Sequence, residues 1–133
     1  MPPLDRTHAL IAELAHALGL PDLPADASGG VRLTIGEATE VSLYGVDDLT
    51  LLLVAPIAAL PKQPDYGLTL YLLRANMFDA ETAPCHVGAD RHGTLVFWGR
   101  VPIDQFDGPG LARLLERVAG QVVAMRGEIE AAA

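Results

Sequence analysis

The stretch Leu49–Val54, with the sequence Leu-Thr-Leu-Leu-Leu-Val, constrains the fold of this chain more than any other. A strand that covers a core on one side alternates apolar and polar residues, because successive side chains point to opposite faces of a sheet. Here positions 49, 51 and 53 are all leucine, while Leu52 and Val54 are apolar on the opposite face. The stretch therefore predicts a strand that needs apolar cover on both faces.

The first half of the chain predicts a helix and three strands. Arg6–Leu18 is amphipathic and has Asp5 as its N-terminal cap. Val31–Ile35 and Val41–Tyr44 alternate on either side of a turn, which predicts a hairpin, and the leucine-rich stretch follows as the third strand. Prolines 56, 61 and 64 predict a loop without regular structure between the third strand and residue 66.

The second half predicts a helix, a hairpin and a long final helix. Tyr66–Phe78 carries apolar side chains on nearly all sides, so we expect a helix that is buried nearly all round. His86–Asp90 and Thr94–Trp98 flank a tight turn and predict a second antiparallel pair. The last helix opens at Asp107 and has one apolar stripe, which consists of Leu111, Leu114, Leu115, Val118, Val122, Met125 and Ile129.

The resulting order, α-β-β-β-α-β-β-α, predicts an α+β fold: a twisted antiparallel sheet with helices mainly on one face. A length of 133 residues predicts one domain, residues 1–133. The fifth strand repeats the two-faced pattern, since Val96 and Trp98 lie opposite to Leu95 and Phe97. Three helices cannot cover both faces, so we expect a homodimer. The alternative is that the proline-rich loop covers the second face.

Charge and composition exclude several classes of partner. The net charge of −8, with nine scattered basic residues, argues against a nucleic-acid or anionic-membrane surface. The longest apolar run, Leu51–Leu60, is too short to span a membrane. A single cysteine, Cys85, excludes an internal disulfide and fits a reducing compartment. Because no signal peptide precedes the first helix, we expect a cytoplasmic protein.

Catalytic and metal-binding patterns are weak. The nearest approach to a metal cluster is Cys85, His86, Asp90 and His92, whose spacing matches no zinc pattern. A cysteine nucleophile would need an orienting group that the sequence does not identify. We therefore predict no enzyme activity, no metal and no cofactor.

A groove beside the first helix is a further expectation. Leu10 and Leu14, together with Val31, Leu33 and Ile35, would line it and accept apolar side chains of an extended peptide. The alternative is that these residues belong to the ordinary core.

Several short motifs carry a resemblance to a known family. Leu72-Leu73-Arg74-Ala75-Asn76 resembles a Leu-Leu-x-Ala-Asn motif at the end of the family's middle helix. Val87–Asp90, Gly93–Phe97 and Val101–Ile103 follow in the family's order, and the Leu111/Leu115 helix completes it. In this arrangement the chain resembles the single-effector (class I) chaperones of bacterial type III secretion, the Tir chaperone family.

The resemblance implies a cytosolic homodimer, without catalysis or cofactor, that has a role in virulence. The dimer would bind the N-terminal region of a secreted effector in extended form, keep it competent for secretion, and deliver it to the secretion apparatus, with the secretion ATPase as a further partner. The resemblance and the two-faced strands assign dimer contacts to Tyr66, Leu70, Leu73, Val96 and Trp98. Together with the groove beside the first helix, they assign effector contacts to Leu10, Leu14, Leu33, Tyr44, Leu52 and Val54.

Two other functions compete with this interpretation. A standalone α+β ligand-binding or immunity-type protein would share the fold, because a fold does not fix a function. An enzyme of unknown type ranks third.

Overall fold

The computed structural model describes residues 3–21, 30–47, 49–78, 80, 82 and 84–132, and gives side-chain surroundings from residue 6 onward. The predicted order of helices and strands is confirmed. The elements are helix α1 (Pro3–Ala17), strands β1 (Val31–Ile35), β2 (Thr39–Gly45) and β3 (Thr50–Ala59), helix α2 (Tyr66–Arg74), strands β4 (Cys85–Ala89) and β5 (Thr94–Pro102), and helix α3 (Gly108–Ala132).

The five strands form one antiparallel sheet in the order β1-β2-β3-β5-β4. Both predicted hairpins are present, and β3 lies in the centre of the sheet between β2 and β5. A central strand has neighbours on both sides, which suits the leucine-rich stretch that the sequence singled out. Strands β1 and β4 form the two edges.

The hydrophobic core lies on one face of the sheet. Every second residue of the strands is buried there, with Leu51, Leu53 and Phe97 fully enclosed. Helices α1 and α3 pack against each other over this face, and Leu68 of α2 reaches the same core. The predicted apolar stripe of α3 is buried throughout, so the expectation of helices on one face is confirmed.

Strand β3 begins at Thr50, so the prediction that Leu49 lies in it on the core face is wrong, and Leu49 is exposed. The prediction of a loop is wrong for residues 56–59, which belong to the strand. The strand continues through Pro56 to Ala59, with a bulge between Pro56 and Ala58 in its pairing with β5. The ladder with β2 ends at Val54, before the proline, so the missing N–H of Pro56 leaves no gap in that ladder. The proline therefore lies where one side of the strand is already unpaired.

Helix boundaries also differ from the predictions. Helix α1 begins at Pro3, so Asp5 lies inside the helix and is not its cap. Helix α2 begins as expected, where the Asp65 carboxylate accepts a hydrogen bond from the Leu68 N–H at 2.7 Å. It ends at Arg74 rather than Phe78. Beyond Arg74, backbone hydrogen bonds of the turn type extend as far as Met77.

Candidate functional site

The face of the sheet opposite to the helices carries an apolar patch. We call this face the open face, and its apolar members are Tyr44, Leu52, Val54, Val96 and Trp98. All five side chains are only partly buried. The strand register places Val54 directly opposite Trp98, and Leu52 opposite Tyr44 on one side and Arg100 on the other. The residues are therefore neighbours in one continuous patch.

The open face changes character from one edge to the other. In the row that crosses all five strands, Arg32 and Ser42 on β1 and β2 are followed by Val54, Trp98 and His86 on β3, β5 and β4. In this row the apolar residues lie on β3 and β5 and the polar residues on β1 and β2, while Tyr44 extends the apolar patch onto the end of β2. A shallow cleft of about 420 Å³ crosses the apolar part.

Trp98 is the largest side chain of this patch, and β4 makes room for it. Its indole lies beside the His86 imidazole, with ring centroids 5.6 Å apart and planes inclined at 53°. A Cβ atom at Gly88 would lie 3.3 Å from the indole Nε1, tighter than ordinary van der Waals contact. Glycine at this position lets the indole lie close to the backbone of the edge strand.

Helix α2 presents a second apolar surface, and the prediction that it is buried nearly all round is wrong for the protomer. Of its nine residues, all of which the structure describes, only Leu68 is buried. Tyr66 is 80% exposed and Leu73 62% exposed, because no other described element of the protomer lies over that side of the helix. Leu70 is exposed as well.

The two apolar surfaces meet at the edge of the sheet. A crevice of about 250 Å³ separates α2 from the β4–β5 hairpin, and Gly88 and Ala89 line both this crevice and the cleft on the open face. The residues assigned to the dimer, Val96 and Trp98 on the sheet and Tyr66, Leu70 and Leu73 on α2, therefore lie on adjoining surfaces. Leu52 and Val54, assigned to the effector, share the patch with Trp98.

The remaining residues assigned to the effector lie elsewhere. Leu10, Leu14 and Leu33 are buried in the core, where α1 packs against α3 and the sheet, so the expectation of an open groove at these residues is corrected. For these three residues, the alternative of ordinary core packing applies. Of the assigned set, only Tyr44, Leu52 and Val54 have side-chain surface that a partner can reach in this protomer.

A groove that the sequence interpretation missed lies near the end of α1. It has a volume of about 770 Å³ and runs between the end of α1, the β1–β2 turn and α3. Leu20 and Val123 are exposed at its walls, and Glu37 and Glu116 add two carboxylates to its lining. The signal in the sequence was that Val123 falls outside the apolar stripe of α3 and that Leu20 is an apolar residue beyond the end of α1.

The surroundings of Cys85 and Asp90 indicate structural rather than catalytic roles. Burial raises the pKa of the Cys85 thiol to about 11, although the nearby charge of Arg117 acts in the opposite direction. The thiol is therefore protonated at neutral pH and is a poor nucleophile. Asp90 accepts hydrogen bonds from the N–H groups of Thr94 and His92 at 3.0 and 2.8 Å, which lower the pKa of its carboxyl group and hold the hairpin turn.

In the described part of the chain, no group of three or more His, Cys, Asp or Glu side chains could hold a metal ion. Within the same residues, no helix is long and apolar enough to cross a membrane.

Comparison with known proteins identifies the family. The model of the Tir chaperone protein (CesT) family matches residues 9–126, which is most of the chain. The chain belongs to this family. The resemblance inferred from the short motifs is thus confirmed. A comparison with curated proteins gave no match.

Several solved structures are similar to this chain over nearly its whole length. A chain of the heterodimeric ExoU–SpcU complex from the type III secretion system of Pseudomonas aeruginosa is 26% identical, with a TM-score of 0.76, over 91% of this chain and 98% of that one. A chain of the ExsC–ExsE complex has the same TM-score at 21% identity and covers 97% of both chains. A chain from the complex of the Yersinia pestis type III secretion chaperone SycH with a fragment of YscM2 has a TM-score of 0.74 at 22% identity, over 89% of this chain and 98% of that one.

Proposed function

We propose that this protein is a type III secretion chaperone, which binds the N-terminal region of a cognate effector in extended form and keeps it competent for secretion. The observation that carries the proposal is the continuous apolar surface of the open face and α2, on a chain whose family is that of the Tir chaperones. A likeness at 26% identity to a chain of the ExoU–SpcU complex supports it.

Self-association accounts for part of this surface. Leaving Leu52, Val54, Val96 and Trp98 in water forgoes about 1.5–3 kcal/mol for each large side chain. A second copy that contributes the same residues would cover them, and a two-fold dimer is the commonest arrangement of this kind. We therefore propose a homodimer in which α2 and the apolar part of the open face meet their counterparts, while Tyr44 and the surfaces outside the interface remain for the effector.

The proposed function is binding rather than catalysis. The Asp90 carboxylate accepts hydrogen bonds from the backbone of its own turn, and the Cys85 thiol is buried. We place the protein in the bacterial cytoplasm, where an effector is held before export. The secretion ATPase is a further proposed partner, at which the effector would be released.

The decisive experiment is capture of the effector in the native host. The tagged chaperone should retain a secreted protein through that protein's N-terminal region, and the bound fragment should stay accessible to protease outside the chaperone footprint. A Tyr44→Asp variant is expected to retain less of it than a Ser42→Asp variant, because Tyr44 is the apolar residue of the open face that the proposed dimer leaves to the effector, whereas Ser42 lies in the polar part of the same strand. Recovery of no secreted protein under inducing conditions would contradict the proposed function.

The oligomeric state needs a separate measurement. Sedimentation equilibrium at micromolar concentration should give the mass of two chains. A monomer under these conditions would remove the homodimer from the proposal and leave effector binding to be judged by the capture experiment alone.

A further inference from the structure

The Asn76 side chain pairs with the backbone of β4. Its Nδ2 group donates a hydrogen bond to the Val87 carbonyl oxygen at 2.9 Å, and the Val87 N–H donates to Asn76 Oδ1 at 2.6 Å. On its other side Val87 pairs with Phe97 of β5. The carboxamide therefore occupies the position that a neighbouring strand would take, and it satisfies both backbone groups that Val87 presents at the outer edge of the sheet.

The apolar contact of helix α2 with the protomer is limited to buried Leu68 and the partly buried Tyr71 and Leu72, so polar bonds at its end add to its attachment. The helix has nine residues, too few for a stable isolated helix, and Leu68 is its one buried residue among those described. A crevice of about 250 Å³ lies between α2 and the β4–β5 hairpin, so the apolar packing on this side of the helix is incomplete. The Thr82 hydroxyl donates a further hydrogen bond, to the Ala75 carbonyl oxygen at 2.5 Å.

The geometry points to Asn76 as a positioning residue for self-association: its carboxamide clamps the end of α2 to the edge of β4, and so fixes exposed Leu70 and Leu73 relative to Trp98. This inference rests on the proposed homodimer. If two elements of an interface can move relative to each other, binding must first order them. The entropy lost in this ordering lowers the affinity. With the clamp in place, α2 and the open face form one preorganised surface.

The first test replaces the clamp with an apolar side chain of similar size. Asn76→Leu removes both hydrogen bonds, so we expect the dimer dissociation constant to rise about tenfold, as for the loss of one or two net hydrogen bonds. The exchange rate of the Val87 amide hydrogen should rise as well, while circular dichroism retains the folded spectrum. Arg74→Gln is the matched control, since it changes an exposed polar side chain of the same helix end and leaves the clamp intact.

The second test makes the clamp depend on pH. In Asn76→Asp a carboxylate can accept from the Val87 N–H but cannot donate to the Val87 carbonyl oxygen, whereas a protonated carboxyl group can do both. We expect weaker association than wild type at pH 7 and recovery toward the wild-type value as this group is protonated. The pKa of the new carboxyl group, followed by NMR, should lie above the ordinary value of about 3.9.

The outcomes separate this inference from the proposed homodimer. If both Asn76 variants dimerise as wild type does while the Val87 amide exchanges faster, the clamp is local and the positioning role is wrong, although the dimer stands. If wild type is monomeric, the homodimer and this role fall together. Should Asn76→Leu not fold, the comparison of Asn76→Asp with wild type across the pH series still decides the question, because one protein is then measured with and without its clamp.

Discussion

Helices α2 and α3 are both rich in apolar residues, yet they differ in how far the protomer buries them. Helix α3 has ten buried residues along its 25-residue length, whereas the nine residues of α2, all described, include only one, Leu68. The difference follows from position. Helix α3 crosses the middle of the core face and contacts α1 and three strands, while α2 lies at the edge beside β4.

The apolar content of a helix therefore indicates that the helix must be buried, but it does not indicate whether its own chain or a partner buries it. An apolar helix in the middle of a sheet is covered by its own chain. The same composition at an edge leaves exposed residues such as Tyr66 and Leu73, and large exposed apolar patches mark interaction surfaces. The following experiments test whether α3 belongs to the core of the protomer and α2 to an interface.

The largest expected effect comes from truncating a leucine in each helix. Leu115→Ala on α3 should lower the free energy of unfolding by about 2–5 kcal/mol, because its side chain is fully buried and a cavity would remain. Leu73→Ala on α2 should leave the isolated protomer nearly unchanged and weaken its association. Urea unfolding at several protein concentrations distinguishes these effects, and an equal loss for both variants at the lowest concentration would contradict the comparison.

A charge on the open face should break association without breaking the fold. Leu52→Asp is expected to raise the dimer dissociation constant at least tenfold, since it replaces about 1.5–3 kcal/mol of apolar burial with a charged group. Ser42→Asp is the control, because it adds the same charge in the polar part of the face. Sedimentation and circular dichroism measure the two properties separately, and a Leu52→Asp variant that unfolds outright would assign this residue to the core.

The third prediction concerns the attachment of α3 to the bulged part of β3. Arg126 Nε donates to the Ile57 carbonyl oxygen at 2.7 Å, and another guanidinium nitrogen donates to that of Pro56 at 3.2 Å. Arg126→Met keeps the apolar stem and should lower the free energy of unfolding by about 1–2 kcal/mol through the loss of these bonds. Arg113→Met, on the exposed side of the same helix, should change it little in thermal unfolding.

The smallest effect should come from glycines of α3, and it should be opposite in sign at two positions. A Cβ atom at Gly120 meets no atom within 4 Å, so Gly120→Ala should stabilise the protein by about 0.5–1 kcal/mol through helix propensity. At Gly108 a Cβ atom would overlap the Glu13 carbonyl oxygen, where α1 approaches α3. Gly108→Ala should therefore destabilise the protein, and the midpoints of thermal unfolding should move in opposite directions.

The sequence predicted most elements of the fold because their signals are local. Alternation defined Val31–Ile35 with its observed boundaries, and the period of the apolar stripe identified the residues of α3 that are buried. The prediction failed at Pro56, where the penalty for a proline depends on whether a neighbouring strand needs its N–H. Strand β2 does not need the N–H of residue 56, because its pairing with β3 ends at Val54. The end of this pairing cannot be seen in the local sequence pattern.

The candidate site was predicted in part. The two-faced pattern correctly separated Val96 and Trp98 from the buried residues of the same strand. It could not show that Val54 lies directly opposite Trp98, because these two residues are more than 40 positions apart in the chain. Leu10, Leu14 and Leu33 look the same in the sequence whether they line a groove or fill a core, and the packing of α3 decides between these states.

By itself, the sequence determined that Thr50–Val54 belongs to a strand with two apolar faces and that the chain has too few helices to cover both. Those conclusions depend on side-chain alternation and the number of elements, which are properties of the chain alone. Only the tertiary structure decided which face α3 covers, that Leu52 and Val54 share a patch with Trp98, and that Asn76 ties α2 to its edge. The physical reason is that burial and pairing depend on contacts between distant segments, and folding selects among them by the surface that each arrangement removes from water.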